Sequence, residues 1–148
     1  MPKKRFPPRV AFHFIKKDFY LEDRSNLKEF IVELFKKEKF RLISLDYIFC
    51  SDDYLLSINR NFLKHDYFTD IISFDLSVKK EGLTGEIYIS IDRVRENAIY
   101  YKNSFKMELH RVIFHGALHL CGYQDKTTHQ TREMRGQENK YLSLYFRT

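Results

Sequence analysis

The stretch Leu109-His110-Arg111-Val112-Ile113-Phe114-His115-Gly116-Ala117-Leu118-His119-Leu120-Cys121-Gly122-Tyr123-Gln124-Asp125 decides how this chain is read. Leu109, Val112, Ile113, Ala117 and Leu120 recur at helical spacing and form one buried stripe. Gly122 is the expected stop, because glycine takes the left-handed backbone that closes a helix at no steric cost. His115 and His119 stand four apart, so their imidazoles lie one above the other and can grip one cation from one side. A tetrahedral catalytic zinc takes three protein ligands and leaves a fourth position open. Asp125, just beyond the stop where the chain can turn back, is the expected third donor. His129, four residues further, is the alternative donor and is otherwise a surface histidine.

Gly116 sharpens that reading. A glycine inside a helix costs about 1 kcal/mol relative to alanine, which predicts close approach of another backbone or a ligand. The position after His115 also lacks the glutamate that a HExxH zinc protease uses as its base, which excludes that chemistry. The competing reading of an i,i+4 histidine pair is two half-buried rings bonded to carbonyls; Gly116, Gly122 and Asp125 favour the metal. Cys121 falls about 200° round the helix from His119 and reads as a small core residue. His13, His65 and His110 have no partner at useful spacing and read as structural or surface residues.

Outward from this helix, strands and helices interleave. Val10–Ile15 reads as a strand by its aromatic and branched content. Asn26 with Glu29 reads as an N-cap and capping box, opening an amphipathic helix on Leu27, Phe30, Ile31, Leu34 and Phe35. Ile43–Phe49 is a second strand, and Ser51-Asp52-Asp53 caps a helix running to about Leu63. After a polar loop, Lys64 to Phe68, come two strands, Ile71–Leu76 and Ile87–Ile91, joined across Lys79–Gly85 as a hairpin. Arg93 onward turns helical through Tyr101, and a last helix runs from about Thr131 to Tyr145. No repeat, linker or compositional break divides the chain, so residues 1–148 are expected to form one α+β domain. It has a mixed, mostly four-stranded sheet packed with several helices and a metal site on a central helix.

Composition narrows the class of partner. With 148 residues, 43% of them hydrophobic, the chain suits a single core, and 14 Phe and 10 Tyr without Trp make rings its main filling. The excess of 26 Lys and Arg over 20 Asp and Glu, formally +6, fits an anionic partner, with nucleic acid foremost. Part of that excess is the lead-in Lys3-Lys4-Arg5. The 2 cysteines, Cys50 and Cys121, form no CxxC pair, which argues against a secreted disulfide framework and fits a reducing cytosol. No stretch approaches the roughly 18 apolar residues of a spanning helix, so the expectation is a soluble, unexported, cytoplasmic chain.

The motif His115-Gly116-x-Leu118-His119-Leu120-x-Gly122-Tyr123 resembles the signature of the YbeY family of bacterial endoribonucleases, metal proteins of ribosomal RNA maturation. Thr69-Asp70-Ile71-Ile72-Ser73-Phe74 is similar to that family's Thr-Asp-Val-Leu-Ser-Phe segment, with Asn59 before it and Gly85-Glu86-Ile87 after it at matching positions. Met134 and Glu138 fall where the family's closing helix has them. The resemblance implies a metal-dependent endoribonuclease acting on single-stranded or ribosomal RNA. Its implied cofactor is zinc, and its implied partner is the small ribosomal subunit or proteins associated with it. Two positions depart from the pattern. Asp125 replaces the usual third histidine, and a set of two imidazoles and one carboxylate also suits iron, manganese or nickel. Leu63 stands where the family carries an arginine, and Arg60, Lys64 or His65 is the nearby cation that would replace it.

Single-stranded RNA brings phosphates and stacking bases, so a binder pairs cations with aromatic rings. Arg60, Phe62, Lys64, Tyr67 and Phe68 mix both just before Thr69; the other reading makes Phe62 and Phe68 core rings and the charges solvated. The expected catalytic group is His115, His119, Asp70, Arg60 and Lys64, with Asn59, Arg60, Lys64 and Thr69 contacting RNA. The metal would lower the pKa of its water or polarise a phosphate, the cations would stabilise developing charge, and Asp70 is the proton-transfer candidate. The alternative is a non-catalytic RNA or ribosome assembly factor whose metal staples the last helix to the turn at Gly122. A carboxylate-bearing iron oxygenase is a further rival, disfavoured because no strand carries an HxD motif.

Overall fold

Alternating apolar residues form strands with one well-buried face, and longer apolar periodicities form the helices that cover it. The computed structural model describes residues 6–78 and 80–147; Lys3, Lys4, Arg5 and the connection residue Lys79 lie outside them. In order, the elements are β1 (Arg9–Phe14), α1 (Arg24–Lys37), β2 (Leu42–Cys50), α2 (Asp52–Ile58), a π-helical turn (Asn59–Leu63), β3 (Ile71–Asp75), β4 (Leu83–Ser90), α3 (Ile91–Tyr100), α4 (Phe105–Leu120) and α5 (Thr128–Tyr145). The strands lie in the order β1-β2-β4-β3, parallel across β1/β2 and β2/β4 and antiparallel across β3/β4. A parallel neighbour needs a crossover, which α1 supplies between β1 and β2, while β3 and β4 close as a hairpin. This is the expected single α+β domain with a mixed four-stranded sheet.

β2 runs through its middle. Leu45, Tyr47 and Phe49 point into the main core beneath α1 and α4, while Cys50 joins Leu55, Ile58 and Ile72 in a smaller cluster under α2. Tyr47 has no exposed surface, and its hydroxyl donates to the carbonyl of Ile113 at 2.9 Å, tying β2 to α4. α4 in turn lies between α3 and α5, with ten of its residues buried.

Three boundaries differ from the sequence reading, each through a hydrogen bond. α1 starts at Arg24 behind Asp23, which sits at φ 59° and caps nothing with its side chain. Asn26 therefore lies inside the first turn and donates to Asp23 Oδ2 at 3.3 Å. The capping box is found on α5 instead, where Thr127 and Gln130 cap each other's backbone and start the helix ahead of Thr131. β4 begins at Leu83 and takes in Gly85; it ends at Ser90, whose Oγ accepts from Arg93 N at 3.1 Å, so Ile91 and Asp92 open α3.

Gly116 marks where α4 meets the sheet. A Cβ there would stand 2.9 Å from both Ile71 Cδ1 and Ile87 Cδ1. The close approach is thus made by two isoleucine side chains of β3 and β4 rather than by a backbone or ligand. Gly116→Val is expected to destabilise the fold by about 2–3 kcal/mol, because overpacking a filled core costs roughly 1–3 kcal/mol and the branched side chain forfeits most of alanine's helical advantage. A urea midpoint unchanged from wild type would refute this. Gly122, at φ 102°, ends the helix as expected. Among the described residues no helix is long and apolar enough to cross a membrane.

Candidate active site

The outward stripe of α4, Glu108, Arg111, Val112, His115 and His119, floors a cavity of about 450 Å³. That volume lies within the range of small-ligand sites. Thr69, Asp70 and Ile71 lead β3 into one wall, Asn97 and Tyr101 come from α3, and Asp125, Thr131, Met134, Arg135 and Glu138 come from the last turn and α5. The helix periodicity that buries Leu109, Ile113 and Ala117 therefore presents both histidines to one space.

Each imidazole is held by its δ nitrogen. His115 Nδ1 lies 2.7 Å from Glu138 Oε2, and His119 Nδ1 lies 3.1 Å from the carbonyl oxygen of Tyr123. With Nδ1–H donating in both rings, each Nε2 keeps its lone pair, the arrangement of metal-ligating histidines oriented by a carboxylate or carbonyl. The turn stopped by Gly122 brings Asp125 back, so that its Oδ2 lies 3.4 Å from His115 Nε2. Two donors bound at about 2.0–2.2 Å to one tetrahedral zinc stand roughly 3.4 Å apart, so this pair has the spacing of ligands that share a cation. Donor type and tautomer fit a divalent transition metal. Among the described residues no three His, Cys, Asp or Glu groups close into a complete metal-binding set. The fold therefore joins His115 to Asp125 and sets His119 on the same wall.

Charge around His115 is balanced through Glu138, whose other oxygen accepts from Arg111 Nη1 at 2.9 Å. Burial alone would raise the carboxyl's pKa, but the bonds from His115 and Arg111 outweigh it and hold Glu138 below its ordinary range. For His115 burial acts downward, and the bond and charge of Glu138, with Asp125 and Asp70 beyond, raise it instead. Asp70 is shifted upward by burial, against a smaller opposing pull from His115, and Asn97 Nδ2 donates to it at 3.4 Å.

The remaining candidates divide. Thr69 lines the cavity, its hydroxyl donating to the carbonyl of Ile71 at 3.4 Å. Asn59 is 1% exposed and donates to the carbonyl of Tyr67 at 2.9 Å, so it braces the 64–68 loop and has no free surface for RNA. Arg60 pairs with Asp66, and Lys64 ends the π-helical turn at φ 56°. Neither lines the cavity, and nor does His65, which stacks on Tyr67. The cations that do are Arg111 and Arg135. His129 is exposed beside Glu133 at 3.8 Å and is a surface histidine, and Cys121 is buried in the core. Phe62 and Phe68 are 68% and 49% exposed, which sets aside their reading as core rings. Glu138 is a functional residue that its sequence neighbourhood alone does not announce. Its signal was a carboxylate in line with the buried Met134 and Tyr141 of α5, a place where an acid survives only when paired.

The sequence pattern of the family described as Endoribonuclease YbeY matches residues 14–145. The chain belongs to this family. The match runs from the last residue of β1 to the last residue of α5, so both walls of the cavity fall within it. The endoribonuclease YbeY of Cytophaga hutchinsonii is 50% identical over 133 residues, covering 88% of this chain and 93% of that protein. The one from Flavobacterium psychrophilum is 44% identical over 128 residues, covering 86% and 91%. A solution structure of a Thermotoga maritima protein superposes with a TM-score of 0.63 at 29% identity, covering 93% of this chain and 89% of that one.

Proposed function

We propose that this chain is a metal-dependent endoribonuclease that cuts single-stranded RNA in ribosomal RNA processing and ribosome maturation. Its place would be the cytoplasm, and its partner the small ribosomal subunit or proteins bound to it. Family membership supports RNA cleavage. The observation that carries the metal is the His115 ring, fixed at Nδ1 by Glu138 while its Nε2 faces the Asp125 carboxylate at 3.4 Å.

His115, His119 and Asp125 would hold one zinc or another divalent transition ion. When bound, that ion supplies Lewis-acid charge to the phosphodiester and acidifies water. Glu138 and the Tyr123 carbonyl keep the two rings in the tautomer that offers Nε2. Asp70, its pKa raised by burial, holds a proton at its carboxyl to higher pH than an exposed aspartate and can pass it to the leaving oxygen. Asn97 steadies that carboxyl. Outside the cavity, Arg60, Lys64 and the exposed rings Phe62, Tyr67 and Phe68 form the approach that leads a strand to Thr69.

Protein stripped of metal and reloaded with zinc, manganese or nickel is expected to cleave single-stranded RNA with at least one of them, and chelation is expected to abolish the cut. A folded protein that cuts RNA with none of these ions would overturn the nuclease reading and favour the assembly factor.

A further inference from the structure

The cavity over α4 has an uneven charge lining. Asp70, Glu108, Asp125 and Glu138 face two guanidinium groups, Arg111 and Arg135. Arg111 is already engaged, donating to Glu138 at 2.9 Å with its side chain only 17% exposed. Among the described residues no carboxylate pairs with Arg135. It rises from α5 between Thr131 and Glu138 and lines the same cavity as the His115 and Asp125 pair.

We propose that Arg135 is the residue that holds a phosphate of the bound RNA strand next to the metal-ligand pair. The proposal rests on the endoribonuclease reading and names a contact within that site. Counted formally without Arg135, four carboxylates against Arg111 leave an excess of three negative charges, of which one divalent ion at His115 and Asp125 would offset two, so the lining alone offers a phosphodiester no net attraction. A second positive charge within reach of the strand is needed to hold it, and Arg111, its charge already balanced by Glu138, is the weaker candidate. The guanidinium fork suits two phosphate oxygens at once, which a lysine ammonium does not reproduce. The groove floor from Glu108 to His119 spans eleven residue steps, roughly 16 Å of helix, so it takes more than one nucleotide and needs a charge fixing where the backbone sits. The cation sought near Leu63 is thus supplied from α5.

The test is the affinity of the metal-loaded protein for a short single-stranded RNA, measured from low to moderate salt for wild type, Arg135→Ala, Arg135→Lys and Arg132→Ala. Arg132 is on the same helix, is exposed and does not line the cavity, so its removal is an equal change in net charge. Arg135→Ala is expected to weaken binding about 10-fold and to reduce the log–log salt slope by about 0.7, the value of one lost single-strand phosphate contact. Arg135→Lys should recover the slope but only part of the affinity, and Arg132→Ala should leave both near wild type. Equal effects of Arg135→Ala and Arg132→Ala would reduce Arg135 to general surface charge and overturn the proposal, as would an unchanged slope in Arg135→Ala. If the wild type itself shows no salt-dependent RNA binding, the endoribonuclease reading falls together with this contact, whereas wild-type binding that Arg135→Ala leaves intact refutes the contact alone.

Discussion

Glu138→Ala is expected to lower the unfolding free energy by about 3–5 kcal/mol, the scale on which breaking a buried charge pair from one side reads in other folds. The side chain of Glu138 is 8% exposed and serves two partners, Arg111 and His115. Its loss takes from the guanidinium of Arg111 its hydrogen-bonded carboxylate, and the cost is that of a part-buried charge left without its pair more than of a lost contact. Glu138→Gln keeps the volume and one acceptor and should cost less. The pH dependence fixes the sign. Glu138 is held below its ordinary 4.5, so its contribution is complete above that pH and is lost as the pH falls through the native value. The difference in urea midpoint between wild type and Glu138→Ala should therefore shrink in acid. The same variant should bind metal about 10–100-fold more weakly, since a ligating histidine without its carboxylate partner loses orientation and basicity. A stability change under 1 kcal/mol at neutral pH would show that the Arg111–Glu138–His115 chain carries little.

What the sequence made legible follows the range of each physical signal. The α4 stripe, the helical stop at Gly122 and the return of Asp125 toward His115 are local consequences of spacing and backbone freedom, and the structure shows each of them. The strands were also readable, because alternation marks a half-covered strand wherever it occurs, although β4 starts earlier than its strict alternation does. The structure places side chains differently from their sequence neighbourhood where the fold beyond one local pattern decides their partners. Asn59, an expected RNA contact by its place in the family resemblance, spends its amide on the Tyr67 carbonyl, a choice made by the loop's fold. Arg60 and Lys64 lie close to Thr69 along the chain and yet outside the cavity, one within the π-helical turn at Asn59–Leu63 and the other at its end. Arg111, Arg135 and Glu138 reach the cavity because α4 packs against α5, and no local pattern in 105–120 or 128–145 announces which faces meet. Gly116 was read rightly as a contact point, but the contacting groups were isoleucines from two strands.

His115→Ala is expected to show the reverse balance of effects: RNA cleavage reduced by at least about 10³-fold with a smaller loss of stability. Catalytic groups that act on developing charge are worth about 10²–10³-fold apiece, and a residue that also anchors the ion removes more than one such contribution. The stability cost should stay near 1–3 kcal/mol, because Glu138 keeps Arg111 at 2.9 Å and no buried charge is orphaned. The ring is half-buried at the cavity, so water can fill the space it leaves. Metal content after equilibration with zinc should fall in His115→Ala and in Asp125→Asn, whereas His129→Ala, which changes an exposed ring outside the cavity, should retain wild-type metal and activity. The comparison with Glu138→Ala is what gives the pair of variants its force. A support for the ligand is expected to cost more in folding than in chemistry, and the ligand itself more in chemistry than in folding. If His115→Ala cuts RNA within 10-fold of wild type and retains its zinc, the metal is not held where His115 faces Asp125, and the catalytic reading of the α4 stripe fails with it.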